Sequence, residues 1–374
     1  MCAVLDLTGN PSSVHGEGRV LRGIVEQARD DVAALVNAKP SEVVFTSGAT
    51  EANVTALAAG WDTVVMAGIE HESVLAPVRA SAARVVDAPV EAAGVVSLAG
   101  LAAALEYHAG TGRGVVALQL ANNETGVLQP VAQAAELARQ YGYSAHTDAV
   151  QAAGRIAINF TALGVDTMAL SAHKLGGPKG IGALVIRDGV ELAPLIRGGG
   201  QERRRRAGTE NVAAIAGFGA AARVASARLA DMPRITAFRD RLEASMLEAT
   251  PRAAIFGAGA ARLGNTICIG VAGRASEITV IKLDVAGFAV SAGAACSSGR
   301  VAASHVLASM GADAGVARGA IRISIGHETA EQDIEAFANA WRALNETKPA
   351  ASTRARPSDE IRGPAGIAAS AIGE

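Results

Sequence analysis

The sequence predicts an α/β protein: a mostly parallel sheet covered by helices on both faces, followed by a smaller α+β unit. Three observations carry this. Short β-branched runs alternate with helical stretches, the pattern of a sheet built from strand–helix–strand crossovers. Gly is abundant at 42 residues while aromatics make up only 3%, which fits many tight turns around an Ala/Val/Leu interior better than it fits a β-sandwich. Of the 374 residues, 50% are apolar and 19% charged, enough for a large core and no case for wholesale disorder.

The strands are read at 43–46, 64–67, 84–87, 115–119, 144–147, 167–170 and 183–187. Between them, 49–59 and 131–141 carry apolar residues at helical spacing behind Thr, Asn or Pro start signals. In such a sheet, ligands bind in the loops outside the carboxyl ends of the strands, so chemistry is sought there. Beyond about 231 the pattern becomes a helix over 234–248, a strand over 265–271, a helix from Ser276, a Gly/Ser-rich loop at 291–300, a strand at 320–325 and a last helix near 331–344. The expected organisation is a large domain over 9–230, a small domain over 231–346 and a mobile tail of linker composition over 347–374.

Charge excludes some functions. Lys plus Arg total 34 against 36 Asp plus Glu, a formal net charge of −2, which is no electrostatic footprint for nucleic acid. The one basic run, Arg203-Arg204-Arg205-Arg206, would neutralise few phosphates. The longest stretch without a charged residue, 285–299, is shorter than the roughly 20 residues of a membrane-spanning helix, and no membrane partner is expected. The first residues lack the basic and apolar regions of a secretory signal. Cys2, Cys268 and Cys296 are too few and too scattered for a disulfide framework or a zinc cluster, which suits a reducing cytoplasm. His15, His108, His146, His305 and His327 show no metal-ligand spacing and read as structural or exposed.

The richest segment is Ser171-Ala172-His173-Lys174-Leu175-Gly176-Gly177-Pro178, directly after a strand. A lone lysine in a Gly-rich turn most often sits at the surface. At a strand end, among glycines that let a ligand reach the backbone, Lys174 is a candidate Schiff-base former. Asp148 ends another strand, where a carboxylate can hold a pyridine nitrogen protonated; by itself it would more often cap a helix. Together the two meet the electronic needs of pyridoxal phosphate, whose protonated ring is an electron sink and whose aldehyde is held by an amine. Thr46-Ser47-Gly48-Ala49-Thr50-Glu51 joins a strand to a helix through small residues and offers backbone N–H groups to a phosphate, although simple capping would look the same. Cys268, in strand-like Thr266-Ile267-Cys268-Ile269, reads as a small buried hydrophobe. Cys296, in Ala294-Ala295-Cys296-Ser297-Ser298-Gly299, has little side-chain mass around it, so the reading as a buried hydrophobe is weaker there than for Cys268.

These stretches occur with Gly9-Asn10-Pro11-Ser12-Ser13, Glu70-His71, Asn122-Asn123-Glu124-Thr125-Gly126, Gly199-Gly200-Gln201-Glu202, Arg206-Ala207-Gly208-Thr209-Glu210-Asn211 and Ile321-Arg322-Ile323-Ser324. In that order, from about Gly9 to Leu344, the chain resembles the cysteine desulfurases of the iron–sulfur assembly and nitrogen-fixation type, within the class V aminotransferases. The resemblance implies fold type I of the pyridoxal-phosphate enzymes, aspartate aminotransferase-like, with a seven-stranded mostly parallel sheet. It implies that Lys174 carries pyridoxal 5′-phosphate, that Asp148 pairs with the ring nitrogen, Gln151 with the ring hydroxyl, and that His71 stacks on the ring. Ala49, Thr50, Ser171 and His173 would hold the phosphate, joined by Thr209 from the partner subunit of a homodimer. Asn123 and Arg322 would lie by the cofactor and the substrate carboxylate.

It further implies that L-cysteine gives up its sulfur to Cys296 as a persulfide, leaving alanine, with His71 as acid and base. The sulfur would pass to an iron–sulfur scaffold or a sulfur-carrier protein, and Cys296 would serve as a transient iron–sulfur ligand with such a scaffold. Selenocysteine lyase or another class V aminotransferase activity, or a truncated homologue without turnover, are the competing expectations. Family members carry a strand and a helix ahead of the Gly-Asn-Pro-Ser-Ser segment, whereas residues 1–7 here read as the tail of that helix. The expectation is that a first segment is missing, with lowered stability or activity, or a start assigned too late, as the consequence.

Overall fold

The computed structural model describes residues 1–292 and 304–345. Seven strands form the larger sheet: β1 (Val43–Thr46), β2 (Thr63–Ala67), β3 (Arg84–Ala88), β4 (Gly114–Ala117), β5 (Ser144–Asp148), β6 (Thr167–Ser171) and β7 (Gly182–Ile186), in the order β1-β7-β6-β5-β4-β2-β3. β7 runs antiparallel to both of its neighbours; every other pair is parallel. All residues of β1, β2, β4, β6 and β7 are buried, because helices cover both faces. That is why these strands read as unbroken apolar runs rather than as alternating patterns. Only the edge strand β3 exposes part of its length.

The helix Gly16–Leu35 places Leu21, Val25, Ala28, Val32 and Leu35 on one face by its 3.6-residue period and packs that face on the helix Val212–Arg228. Each such aliphatic side chain, fully buried, contributes roughly 1.5–3 kcal/mol. The continuous stretch Val212–Ala249 is long and apolar enough in part to cross a membrane, a feature that the count of uncharged residues missed. Its buried face, with Ile215, Phe218 and Ala222, lies instead in the main core.

The second sheet, β10-β11-β9-β8, is wholly antiparallel: β8 (Ala253–Ile255), β9 (Thr266–Val271), β10 (Ser291–Ala292) and β11 (Ile321–Ser324). The side chains alternate. Ile267, Ile269, Ile321 and Ile323 join a core with the helices Met232–Ala249 and Glu331–Asn345, closed by Trp341, whose indole N–H donates to Thr250 Oγ1 at 3.1 Å. Cys268 points the other way, into the core of the large sheet, and Arg322 lies opposite it in register. Cys268 is buried as expected, and burial pushes its thiol well up.

One segment is strained. Glu202, Arg203 and Arg204 have φ of 46°, 55° and 65°, three successive side-chain-bearing residues in the left-handed region. A buried carboxylate holds them there: Glu202 accepts from Arg29 at 2.8 and 3.0 Å and from the Phe45 N–H at 2.9 Å. Adjacent substitutions should therefore act in opposite directions. Glu202→Ala leaves the Phe45 N–H unpaired and the buried Arg29 guanidinium with only Glu26 and the Val43 carbonyl, and should cost about 3 kcal/mol in urea unfolding. Arg204→Gly relieves an exposed left-handed residue and should stabilise by about 1 kcal/mol.

Candidate active site

The carboxyl ends of β2, β4, β5 and β6 and the β1–helix loop meet β11 around one cavity of about 550 Å³. Ten of the side chains or loops singled out in the sequence line it: Ala49, Thr50, His71, Asn123, Asp148, Gln151, Ser171, His173, Lys174 and Arg322. One is not brought there: Thr209 is exposed and lines no part of the cavity. Cys296 lies outside the described residues.

Lys174 sits in the short 3-10 turn Ala172–Leu175 that follows β6, ended by Gly176 at φ +83°, a conformation that only glycine adopts without strain. Arg155 ties this turn to the β5 loop, donating to the carbonyl oxygens of Gln151 at 2.6 Å and Lys174 at 3.3 Å. Burial, and then the charge of Arg322, lower the Arg155 guanidinium to about 10. Ser171 Oγ lies 2.8 Å from His173 Nδ1, and partial burial with the charges of Lys174 and Lys179 holds the His173 imidazole below its ordinary range.

The β1 loop enters the helix Ala49–Leu57 with no side-chain cap at Gly48, so its first N–H groups face the cavity mouth. The start of β7 passes this loop backbone to backbone: a Cβ on Gly182 would fall 2.7 Å from the Gly48 carbonyl carbon. Glu51 braces the loop from behind, accepting from the Ser47 N–H at 2.7 Å and from Arg206 at 3.0 Å. Its burial is more than offset by these bonds, which keep its carboxyl below the usual range.

Asp148, at the end of β5, is 8% exposed. Its Oδ1 accepts from the Val150 N–H at 2.9 Å, closing a turn; no helix starts here, so Asp148 is not a helix cap. Its Oδ2 accepts from Asn53 Nδ2 at 2.8 Å. Asn53 also donates to Ser73 Oγ at 2.8 Å and stands 3.0 Å from His146 Nε2; His146 Nδ1 is 2.8 Å from Thr167 Oγ1. Burial lowers the His146 imidazole to about 3, so it is neutral. Ser73 Oγ and the Ser73 N–H both lie on His71 Nδ1, at 2.8 and 3.1 Å.

On the opposite wall Arg322 donates to the Asn123 carbonyl at 2.8 Å and to Ser291 Oγ at 3.1 Å. Arg322 Nε and Asn123 Oδ1 are buried without a hydrogen-bond partner among the described residues. Such orphaned groups beside a cavity mark where a polar ligand completes the bonding. Glu124 accepts from Ser304 Oγ at 2.5 Å; burial pushes its carboxyl up against that bond and the charges of His305 and Arg322.

Sequence reasoning missed Asn53, Ser73, Gln119, Arg155 and the buried role of His146. One signal was available for Asn53, a polar residue set between Ala52 and Ala56 on the buried face of its helix.

Residues 3–337 match the family model for aminotransferase class-V. A cysteine desulfurase of Cereibacter sphaeroides is 42% identical over 87% of this chain and 86% of its own length. The chain belongs to the aminotransferase class-V family, in its cysteine desulfurase group. An IscS-like cysteine desulfurase of Mycobacterium tuberculosis is 37% identical over 95% of this chain and 92% of its own. The solved NifS-like protein of Rickettsia africae superposes with a TM-score of 0.83 at 33% identity, over 92% of this chain and 93% of that one. The class V architecture explains the two sheets and the cavity between them.

Behind the cavity, Glu70 is buried with Oε1 accepting from the Gln119 N–H at 2.8 Å and Oε2 without a partner among the described residues. Burial, joined by the nearby Asp148 charge, raises its carboxyl well above the ordinary 4.5. The folded state therefore holds a proton that the unfolded state releases, so stability falls as pH rises above about 4.5 until the folded group ionises. Glu70→Gln keeps the acceptor and removes this titration. Its melting temperature relative to the parent should rise steadily between pH 5 and pH 8; a constant difference across that range would contradict a titrating Glu70.

Proposed function

We propose that this chain is a pyridoxal-phosphate-dependent cysteine desulfurase, converting L-cysteine to L-alanine and passing the sulfur through Cys296 to an iron–sulfur scaffold or another sulfur acceptor. The observation that carries the reading is one cavity lined by both Lys174 and Asp148, with an uncapped helix start on one side and Arg322 on the other. A volume of about 550 Å³ suits a cofactor and an amino acid together.

The residues fit the cofactor. Lys174 would hold its aldehyde, Asp148 its ring nitrogen and Gln151 its ring hydroxyl, with His71 against the ring. The N–H groups at Ala49 and Thr50, with Ser171 and His173, would take the phosphate. When bound, pyridoxal phosphate supplies a sink for the electron pair released at the substrate Cα. Arg322 would fork onto the substrate carboxylate through its unsatisfied Nε, and Asn123 would present its free Oδ1 nearby.

The Lys174 amine, freed from the aldehyde by the substrate, would take the Cα proton. The Cys296 thiolate would attack the substrate sulfur: a new S–S bond forms, the Cβ–S bond breaks, and its electron pair stays on the alanine skeleton, which takes up a proton. His71 would exchange the thiol proton. The exposed position of Thr209 supports a homodimer in which it reaches the partner's phosphate, and the scarcity of cysteines supports a cytoplasmic setting. The same reading divides the chain into a cofactor domain over 9–230 and a small domain over 231–346.

Purified, cofactor-supplemented protein should release alanine from L-cysteine. Lys174→Ala should lose borohydride-fixed cofactor and at least about a hundredfold in rate. Cys296→Ala should retain the visible absorption and end multiple turnover; normal turnover by that variant refutes the sulfur-carrier role.

A further inference from the structure

Asn53 is fully buried, and each of its polar atoms is matched to a neighbour of fixed chemistry. An amide offers two donors on nitrogen and an acceptor on oxygen. Here the two N–H groups meet Asp148 Oδ2 and Ser73 Oγ, both at 2.8 Å, and Oδ1 meets His146 Nε2 at 3.0 Å. The orientation has one consistent solution while Asp148 is a carboxylate. An amide oxygen turned towards that carboxylate would leave no hydrogen between two acceptors. With the nitrogen towards Asp148, the oxygen needs a donor, which the neutral His146 supplies as Nε2–H; Thr167 Oγ1–H then donates to His146 Nδ1 at 2.8 Å.

The other arm follows from the same orientation. Because Ser73 Oγ receives a hydrogen from Asn53, its own hydroxyl hydrogen is free for His71 Nδ1 at 2.8 Å. The Ser73 N–H donates to that nitrogen too, at 3.1 Å. His71 Nδ1 is thus an acceptor, and the ring proton is placed on Nε2.

We propose that Asn53 is a positioning residue that couples the carboxylate of Asp148 to the tautomer of His71, through its single amide and the Ser73 hydroxyl. The two side chains stand at the ends of different strands, β5 and β2, and Asn53 links them from the helix Ala49–Leu57 that also begins at the cavity. The consequence for chemistry rests on the proposed function; the hydrogen-bond chain does not. Asn53 would keep Asp148 aimed at a pyridine nitrogen and keep His71 ready, with one defined proton, beside the ring.

The test uses the full-length protein loaded with pyridoxal phosphate. Asn53→Asp is isosteric and sets an acceptor against Asp148; Asn53→Ala removes the link; Ser73→Ala removes the hydroxyl between Asn53 and His71 while leaving the Asn53 bond to Asp148 and the backbone N–H on His71 in place. Folding is checked by circular dichroism. In both Asn53 variants, pyridoxal phosphate should bind at least about tenfold more weakly, and the visible band of the bound cofactor should shift without substrate. Ser73→Ala should keep the band and affinity of the parent while kcat with L-cysteine falls at least about fivefold at little-changed KM.

Parent-like affinity and an unshifted band in a folded Asn53 variant would overturn the coupling at Asp148. A parent-like kcat in Ser73→Ala would overturn the arm to His71. Should the parent itself release no alanine from L-cysteine, the proposed function falls, while affinity and band still judge Asn53 on their own.

Discussion

The site depends on keeping one carboxylate buried, oriented and bonded at the end of a parallel strand. Asp148 is nearly removed from water, and a buried carboxylate without donors is costly enough that it would pick up a proton instead. The fold supplies two donors, the Val150 N–H from its own chain turn and the Asn53 amide from across the sheet. The backbone is fixed as firmly, since the Asp148 carbonyl accepts from the Leu120 N–H at 2.9 Å and the next residue's N–H reaches the Ala169 carbonyl. The position and direction of the carboxylate are thus determined by the fold itself.

The sheet topology does the rest of the assembly. Parallel strands deliver their carboxyl ends to one edge, so the loops after β2, β4, β5 and β6 carry His71, Asn123, Asp148 and Lys174 to the same rim. The antiparallel β7 returns beside the edge strand β1 and sets Gly182 against the Gly48 loop at the cavity. The second sheet contributes a cation. Arg322 stands on the face of β11 that looks away from the small core, and its bond to the Asn123 carbonyl ties the two sheets across the cavity. Ser304 and His305 make the same kind of crossing, to Glu124 and to the Glu70 carbonyl at 2.9 Å.

Much of this was legible in the residues, and the reason is physical. All seven strands of the large sheet lie within a residue or two of the ranges read from the sequence; for β1, β2, β4, β6 and β7 the reason is burial on both faces, which demands continuous apolar runs. Lys174, Asp148 and the Gly48 loop were legible because strand ends with small residues and a reactive group are rare. What stayed hidden depends on tertiary neighbours. Asn53 looks like any polar residue in a helix until β5 is placed beneath it, and His146, read as structural or exposed, is decided as structural only when its strand proves central. The short strand Ala253–Ile255 was missed because three partly buried residues make no period that can be read, and its pairing with β9 alone defines it. Thr209 shows the converse: its motif is plain in sequence, yet a single chain gives it nothing to contact in the cavity.

That last mismatch bears on why the strained segment exists. Residues 202–204 hold three left-handed conformations in succession, which a free chain would relax at once. The restraint comes from Glu202, whose buried carboxylate joins the helix Gly16–Leu35 through Arg29 and the first residues of the sheet through Phe45. Arg206 then returns to Glu51, the same residue that braces the Gly48 loop. The segment is thereby held between the scaffold on one side and the Gly48 loop on the other, with Thr209 outside the chain's own cavity. Strain of this size persists only where the surroundings over-determine it, and here a buried ion pair, Arg29–Glu202, and a part-buried one, Arg206–Glu51, do so. An ion pair fixes direction as well as distance, so the backbone leaves residues 202–204 on one defined course.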